Sequence, residues 1–207
     1  MSAVVITACE MSSSVNNENG KFANSEKRYQ TDISDVYGIA KAYINNKRIA
    51  AKPDQAMPMQ RLSRVKLEQG SEDLLYRLGH STILMRLNGE FVLTDPVFSD
   101  RASPVQWAGP KRFHATPITI EELPDIKVVV ISHDHYDHLD KDAIKKLADK
   151  VEHFVTPTKV GQYLIDWGID KSKVTELSWW ESAQIDGLTL VATPAHSATS
   201  PRGLAPE

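Results

Sequence analysis

The chain has 207 residues, of which 41% are hydrophobic and 25% charged, and its formal net charge at pH 7 is -3. This composition indicates one globular domain with a polar leader, and the slightly acidic balance gives no reason to expect nucleic-acid binding. No apolar run approaches the about 20 residues that span a bilayer. The single cysteine, Cys9, excludes a disulfide within the chain and a thiolate-rich zinc site.

Residues 1–30 are interpreted as a signal-like or disordered leader. The stretch from Ala3 to Cys9 resembles the end of a bacterial lipoprotein signal peptide, although it lacks a basic start and a full apolar run. One explanation is a translation start upstream of Met1, which predicts a periplasmic or membrane-anchored lipoprotein. The alternative is a frayed terminus with a spare thiol, in a cytoplasmic protein.

Residues 31–72 are predicted to form a helical arm and a linker. Apolar side chains recur with helical spacing over residues 32–46. Prolines then interrupt regular structure, and Met57 and Met59 beside them are expected to fill gaps rather than to bind a metal.

The folded domain is predicted over residues 73–207. Its first half contains strand patterns and one strong hairpin signal, Asn88-Gly89. A buried strand at Val128–Val130 is followed by a helix capped by Asp140 and by a further strand, which together make a βαβ unit. In such units ligands gather at the carboxyl ends of the strands. The predicted elements are strands at residues 74–78, 82–87, 91–94 and 154–156, helices at 140–150 and 159–168, and a hairpin at 183–192.

Three imidazoles and a carboxylate follow the central strand in the order His133-x-His135-x-Asp137-His138. In an extended segment alternate side chains share a side, so the first three can converge while His138 swings in as the chain turns. Such nitrogen and oxygen donors suit zinc first, with iron or manganese also open. Four ligands on one metal and a division between two metals both fit. A merely solvated loop is the alternative, but three of the seven His stand directly behind one strand.

This motif resembles the signature of the metallo-β-lactamase fold superfamily. Neighbouring stretches resemble the branch typified by N-acylphosphatidylethanolamine-hydrolysing phospholipase D and its bacterial relatives. The resemblance runs from about residue 74 to about residue 195. The stretches that carry it are Leu78–Thr82, Leu93–Phe98, Ala108–Phe113, Ser132–Asp140 and Ser178–Glu181.

The resemblance implies an α/β fold, the αββα sandwich, with its first half present and most of its second half missing. It implies two Zn²⁺ ions, the first held by His133, His135 and His196 and the second by Asp137 and His138. His196 stands one position earlier than the family pattern requires. The second half should supply a bridging carboxylate and a final His, so the chain is predicted to be truncated, with one apolar sheet face exposed.

Three further residues receive roles from the resemblance. Asp95 would steady the metal loop by accepting a ring N–H from a ligand histidine, although a simple Asp-Pro turn is the alternative. His80 would lie around the metal or contact substrate. Arg112, whose planar fork can bind two phosphate oxygens, would contact substrate, with exposed surface charge as the alternative.

The implied activity is phospholipase D-like hydrolysis of the phosphodiester in N-acylphosphatidylethanolamine-type lipids, with peripheral or lipid-anchored membrane contact. Two metals about 3.5 to 4 Å apart would lower the pKa of a shared water, and Asp137 would orient or deprotonate it as the catalytic residue. The alternatives are a lactonase or ascorbate phosphate hydrolase, and an inactive truncated metal-binding remnant. The sequence does not fix the oligomeric state.

Overall fold

The computed structural model describes residues 2–9, 37–38, 41, 53–55 and 57–195. Within them, no helix combines the length and the apolar character needed to cross a bilayer. The elements in chain order are β1 (Ser2–Cys9), α1 (Arg64–Glu68), β2 (Leu74–Arg77), β3 (Ile83–Leu87), β4 (Glu90–Thr94), β5 (Ile126–Val130), α2 (Lys141–Leu147), β6 (Val151–Pro157), α3 (Gly161–Asp166), a 3-10 turn (Lys171–Lys173), β7 (Val174–Leu177), β8 (Ser182–Ile185) and β9 (Leu188–Ala195).

The larger sheet has six strands in the order β2-β3-β4-β5-β6-β7. Strands β2 to β4 pair antiparallel, and the predicted hairpin turn joins β3 to β4 with positive φ at Asn88 (52°) and Gly89 (84°). Both central residues of a type I′ turn need that conformation. Strands β4 to β7 pair in parallel, so the carboxyl ends of β4, β5 and β6 meet at one edge. The segments that follow β4 and β5 therefore start side by side.

The two faces of the larger sheet bury different layers. Alternation along β5 directs Val129 toward a core shared with Ile144 of α2 and Leu164 of α3. It directs Val128 and Val130 toward a second core, which the smaller sheet completes through Leu188, Leu190 and Ala192. The result is a helix layer on a sheet on a sheet, which confirms the predicted α/β class. Strands β8 and β9 cover this second face of the larger sheet. The predicted exposure of one apolar sheet face stays a prediction for the smaller sheet.

The smaller sheet has the order β1-β9-β8, with β1 parallel to β9. A strand at Ser2–Cys9 was not predicted from the sequence, although the run of β-branched residues there favours one. The interpretation of residues 1–30 as a leader stays a prediction. The predicted helix at 32–46 lies mostly outside the described residues, of which 37, 38 and 41 are helical.

Asp140 joins α2 to the segment that follows β4. One carboxylate oxygen accepts the N–H groups of Asp142 and Ala143, which makes Asp140 the predicted N-cap. The other oxygen accepts the N–H groups of Phe98 (3.0 Å) and Ser99 (2.8 Å). Since the chain between β5 and α2 carries the metal motif, this carboxylate ties the C-terminal end of the metal loop to the segment after β4.

Substituting Asp140→Asn will lower the free energy of unfolding by about 1 to 2 kcal/mol, because an amide N–H₂ placed opposite the Phe98 and Ser99 donors cannot accept from them. Thermal denaturation and urea titration will measure the loss. Asp142→Asn is the matched control, since the side chain of that exposed neighbour makes neither contact. An unchanged midpoint for Asp140→Asn would show that these two bonds contribute nothing net.

Candidate metal centre

The metal motif occupies a turn at the carboxyl end of β5. The carbonyl oxygen of His135 accepts N–H bonds from His138 (2.9 Å) and Leu139 (2.7 Å). The motif is therefore coiled, and the extended geometry predicted for it is wrong. Curling places Asp137 and His138, neighbours in sequence, on the same side of the loop.

His133 and His135 point ring nitrogens at each other. His133 Nε2 lies 3.1 Å from His135 Nδ1, and the two rings are nearly perpendicular at 74°. Two nitrogens bound to one tetrahedral zinc at about 2.0–2.1 Å would lie about 3.3 Å apart. This pair thus has the separation of two ligands of a single ion.

Asp95 holds the start of the motif from the neighbouring strand. Its carboxylate accepts Ser132 N–H (2.7 Å) and Ser132 Oγ–H (2.7 Å), and it lies 2.8 Å from His138 Nδ1. A carboxylate can only accept, so His138 carries its proton on Nδ1 and presents the lone pair of Nε2. Asp95 is buried and has φ of 40°, a left-handed conformation that Asp tolerates better than most residues.

The Ser132 hydroxyl determines the tautomer of His133 in the same way. It gives its single proton to Asp95, so at 3.0 Å it must accept from His133 Nδ1–H. The lone pair of His133 is then on Nε2, the atom that faces His135. Both tautomers are set by the protein, with each free lone pair directed into the loop.

His138, Asp137 and His80 form a second group. Asp137 Oδ2 lies 3.8 Å from His138 Nε2 and 3.5 Å from His80 Nε2. The predicted residues therefore form a His133–His135 pair and an Asp137-centred group, which adjoin where the rings of His133 and His138 lie 4.0 Å apart. Of the alternatives left open by the sequence, this arrangement favours division between two metals.

Burial lowers the pKa of His133 to about 4, and the nearby charges of His138 and His135 act in the same direction. The imidazole is therefore neutral at pH 7, the state a metal ligand needs. Partial burial also lowers the pKa of His153, but its Nε2 is paired with Thr175 Oγ1 at 2.7 Å, inside the sheet.

In chelator-treated protein, the free energy of unfolding will fall as pH drops from about 6.5 to about 4. The unfolded His133 takes up a proton near pH 6.5, whereas the folded one stays neutral until about pH 4. Protonation between about pH 6.5 and about pH 4 thus favours the unfolded state. Above about pH 6.5 His133 is neutral in both states, and this loss of stability is absent. Urea titrations at several pH values will show that the free energy of unfolding depends less steeply on pH in His133→Asn than in wild-type protein. Equal slopes for the two proteins would contradict the shift.

The remaining predicted residues lie apart. Arg112 donates from Nε to Ser99 O (3.0 Å) and from Nη2 to Val97 O (2.8 Å), so part of its guanidinium braces the loop after β4. Burial lowers its pKa. Its substrate role stays a prediction, as do the roles of Asp95 and His80. His196, the predicted further ligand, lies outside the described residues.

Sequence reasoning missed two hydroxyl contacts. Ser132 lies in the motif without a predicted role, yet its hydroxyl contacts the side chains of Asp95, His133 and His138. Ser81 Oγ donates to the Asp137 carbonyl (2.7 Å), which joins the β2–β3 turn to the metal loop. Serine is common in turns, so neither residue carries a signal in a single sequence beyond its position next to a histidine.

A cleft of about 900 Å³ opens beside the Asp137 group. Its wall combines His135, Asp137 and Arg112 with apolar side chains from the linker and from the segment after β4. Met57 and Met59 lie there with exposed fractions of 48% and 43%, so the expectation that they fill core gaps is wrong.

The donor set fits a divalent transition metal. The loop offers neutral imidazole nitrogens with defined lone pairs and one carboxylate, and within the described residues no thiolate lies beside them. Carboxylate and hydroxyl partners behind the rings are the usual outer contacts of such ligands. The metal's identity does not follow from these donors, because zinc, iron and manganese all accept them.

Comparison with known proteins gives partial matches. An uncharacterized protein of Mycobacterium tuberculosis is 48% identical over 118 residues, covering 56% of this chain and 32% of that protein. N-acyl-phosphatidylethanolamine-hydrolyzing phospholipase D 1 of Caenorhabditis elegans is 39% identical over 137 residues, covering 63% and 38%. The chain thus spans about a third of the length of these relatives.

Among solved structures, CmlA, a diiron β-hydroxylase from Streptomyces venezuelae, superposes with a TM-score of 0.44 at 24% identity, over 56% of this chain and 23% of that one. The family profile described as Beta-lactamase superfamily domain matches residues 90–207, more than half of the chain. That match contains Asp95 and the whole His-x-His-x-Asp-His motif, and it confirms the superfamily predicted from the sequence. The chain belongs to the β-lactamase superfamily domain family.

Proposed function

We propose that this chain is the metal-binding part of a metal-dependent hydrolase that cleaves a phosphodiester in N-acylphosphatidylethanolamine-type lipids. The observation that carries the proposal is the grouping of His133, His135, Asp137 and His138 at one strand end, with ring lone pairs fixed toward the loop interior. The 39% identity to the N-acyl-phosphatidylethanolamine-hydrolyzing phospholipase D 1 of Caenorhabditis elegans supports the lipid class.

Each residue has a defined task in this proposal. His133 and His135 would hold one ion, zinc in the first instance, and Asp137 and His138 would hold a second. A bound divalent metal supplies Lewis-acid chemistry, activating water and polarising phosphate oxygens. Asp137, whose side chain is 44% exposed, would orient the water and accept its proton in this proposal.

The cleft supports an amphiphilic substrate. Lys111 and Arg112 place cations on its wall, and Met57, Met59 and Phe113 place exposed apolar surface on the same wall. A phosphate would pair with the cations while acyl chains contact the apolar side chains. Trp107, 82% exposed on the same segment, would add contact with a membrane surface.

Purified chain loaded with Zn²⁺, Fe²⁺ or Mn²⁺ should release phosphatidic acid from vesicles that contain N-acylphosphatidylethanolamine, as measured by mass spectrometry. Vesicles of phosphatidylcholine alone and the His133→Ala variant serve as controls. If metal binds stoichiometrically and no phosphodiester is cleaved, the hydrolase proposal fails for this chain and the metal-binding remnant replaces it.

A further inference from the structure

We propose that His80 is a metal ligand, and that with Asp137 and His138 it forms a two-histidine, one-carboxylate site for a divalent transition metal. The inference rests on the proposed metal-dependent function and adds a ligand from outside the His-x-His-x-Asp-His motif. One ligand atom from each of the three residues lies within 4.8 Å of the other two.

The distances are close to those of a shared ion. Asp137 Oδ2 is 3.5 Å from His80 Nε2 and 3.8 Å from His138 Nε2. Ligand atoms at about 2.0–2.1 Å from one metal lie about 3.0 to 3.4 Å apart, so each histidine needs to approach Asp137 by only a few tenths of an ångström. The ligand atoms of His80 and His138 lie within 4.8 Å of each other, and they would move together around the ion. The two rings are nearly perpendicular at 79°, with centroids 5.9 Å apart, so neither ring stacks on the other and blocks the position between them.

The turn that carries His80 is attached to the metal loop. Ser81 donates its hydroxyl to the Asp137 carbonyl at 2.7 Å, and Thr82 donates its hydroxyl to the Asp95 carbonyl at 2.8 Å. The residues on the C-terminal side of His80 thus bond to the two acidic residues that organise the site. These contacts fix the backbone beside His80, whose imidazole Nε2 lies 3.5 Å from Asp137 Oδ2.

Arg77 restrains the turn from its N-terminal side. Its Nε donates to the Gly79 carbonyl (3.1 Å) and its Nη2 to the His80 carbonyl (3.4 Å). Backbone bonds from the N–H groups of residues 78 and 79 to the Thr82 carbonyl close the turn. The backbone of His80 is therefore held on both sides, while its side chain is 72% exposed.

The donor set indicates what the site would hold. An exposed His–Asp ion pair contributes little stability by itself, so it does not account for a turn so closely attached to the loop. Two imidazoles and one carboxylate on one face of an ion suit Fe²⁺ or Zn²⁺ and leave other coordination positions for water and a substrate oxygen. His138 already presents its Nε2 lone pair because Asp95 holds the proton on Nδ1.

The test is a zinc titration of the metal-free full chain in competition with a chromophoric chelator. Wild-type protein should bind two Zn²⁺. His80→Ala should weaken one of them by more than about 100-fold, since even outer partners of ligands cost 10- to 100-fold. His114→Ala is the matched control, because it removes a partly exposed imidazole from the same cleft wall. In two-dimensional NMR, the ring nitrogen resonances of His80 should shift on addition of one of the two equivalents.

The possible results separate the two proposals. Two zinc ions bound with unchanged constants in His80→Ala would overturn the role of His80 and leave the metal-dependent function intact. Failure of wild-type protein to bind zinc or iron would overturn both. If wild-type protein binds a single zinc ion and His80→Ala binds it equally well, His80 is not a ligand. If His80→Ala loses one of two sites and His114→Ala keeps both, His80 is a ligand. Because His80 is exposed, circular dichroism should show the variant folded.

Discussion

Replacing His133 and His135 together by Ala will abolish tight zinc binding at the first metal position. Their facing nitrogens, 3.1 Å apart, are the two described donors of that position. Substituting a single outer partner costs 10- to 100-fold in metal affinity, so the loss of two ligands should exceed about 10³-fold. Zinc content after dialysis, measured by atomic absorption, gives the result.

His114→Ala and His153→Ala together make the matched control, since they also remove two histidines from the chain but not from the loop. Burial of His153 near Thr175 means that its replacement will cost some stability, without touching the metal loop. Equal zinc content in the double loop variant and in wild-type protein would end both the metal-centre assignment and the proposed hydrolase function.

Substituting Asp95→Ala will reduce metal affinity by about 10- to 100-fold and lower the free energy of unfolding by about 3 kcal/mol. The affinity falls because His138 loses the acceptor that fixes its tautomer. The stability falls because the partly buried N–H and O–H groups of Ser132 lose their partner, and because Ala is strained at a φ of 40°. Zinc titration and urea denaturation measure the two effects separately.

Asp95→Asn separates the same two causes. Asn tolerates the left-handed backbone and can still accept the Ser132 N–H, so its stability loss should be smaller than that of Ala. Its amide N–H₂ would oppose the Nδ1–H of His138, so the loss of metal affinity should persist. Wild-type affinity in Asp95→Asn would show that the carboxylate does not act through the His138 tautomer.

The fold could be predicted from the sequence wherever side-chain period and turn chemistry agree. Asn88-Gly89 between two alternating strands specifies its own hairpin, because both residues accept positive φ. Asp140 directly before a helical period specifies a cap. The short strand β7 (Val174–Leu177) was missed because its alternation is weak and its pairing partner, β6, is brought to it by the chain's return through α3.

The site could be predicted in composition but less well in shape. The ligands could be predicted from the motif because four metal-donor side chains within six residues are rare in a loop that binds no metal. Its coiled conformation depends on backbone bonds to the His135 carbonyl, which no side-chain pattern encodes. The approach of His80 to Asp137 depends on two strands of the sheet, and the linker methionines at the cleft depend on tertiary packing.

The hydroxyl and carboxylate contacts behind the metal ligands have an energetic consequence. Asp95 and Ser132 orient the rings, and Asp140 fixes the C-terminal end of the loop, through bonds that involve protein atoms only. Capturing an ion then requires little ordering of the chain, unlike a zinc finger, whose folding and metal uptake are one event. We therefore expect zinc to bind a preorganised site without changing the secondary-structure content. Removal of the metal by a chelator should leave the protein folded.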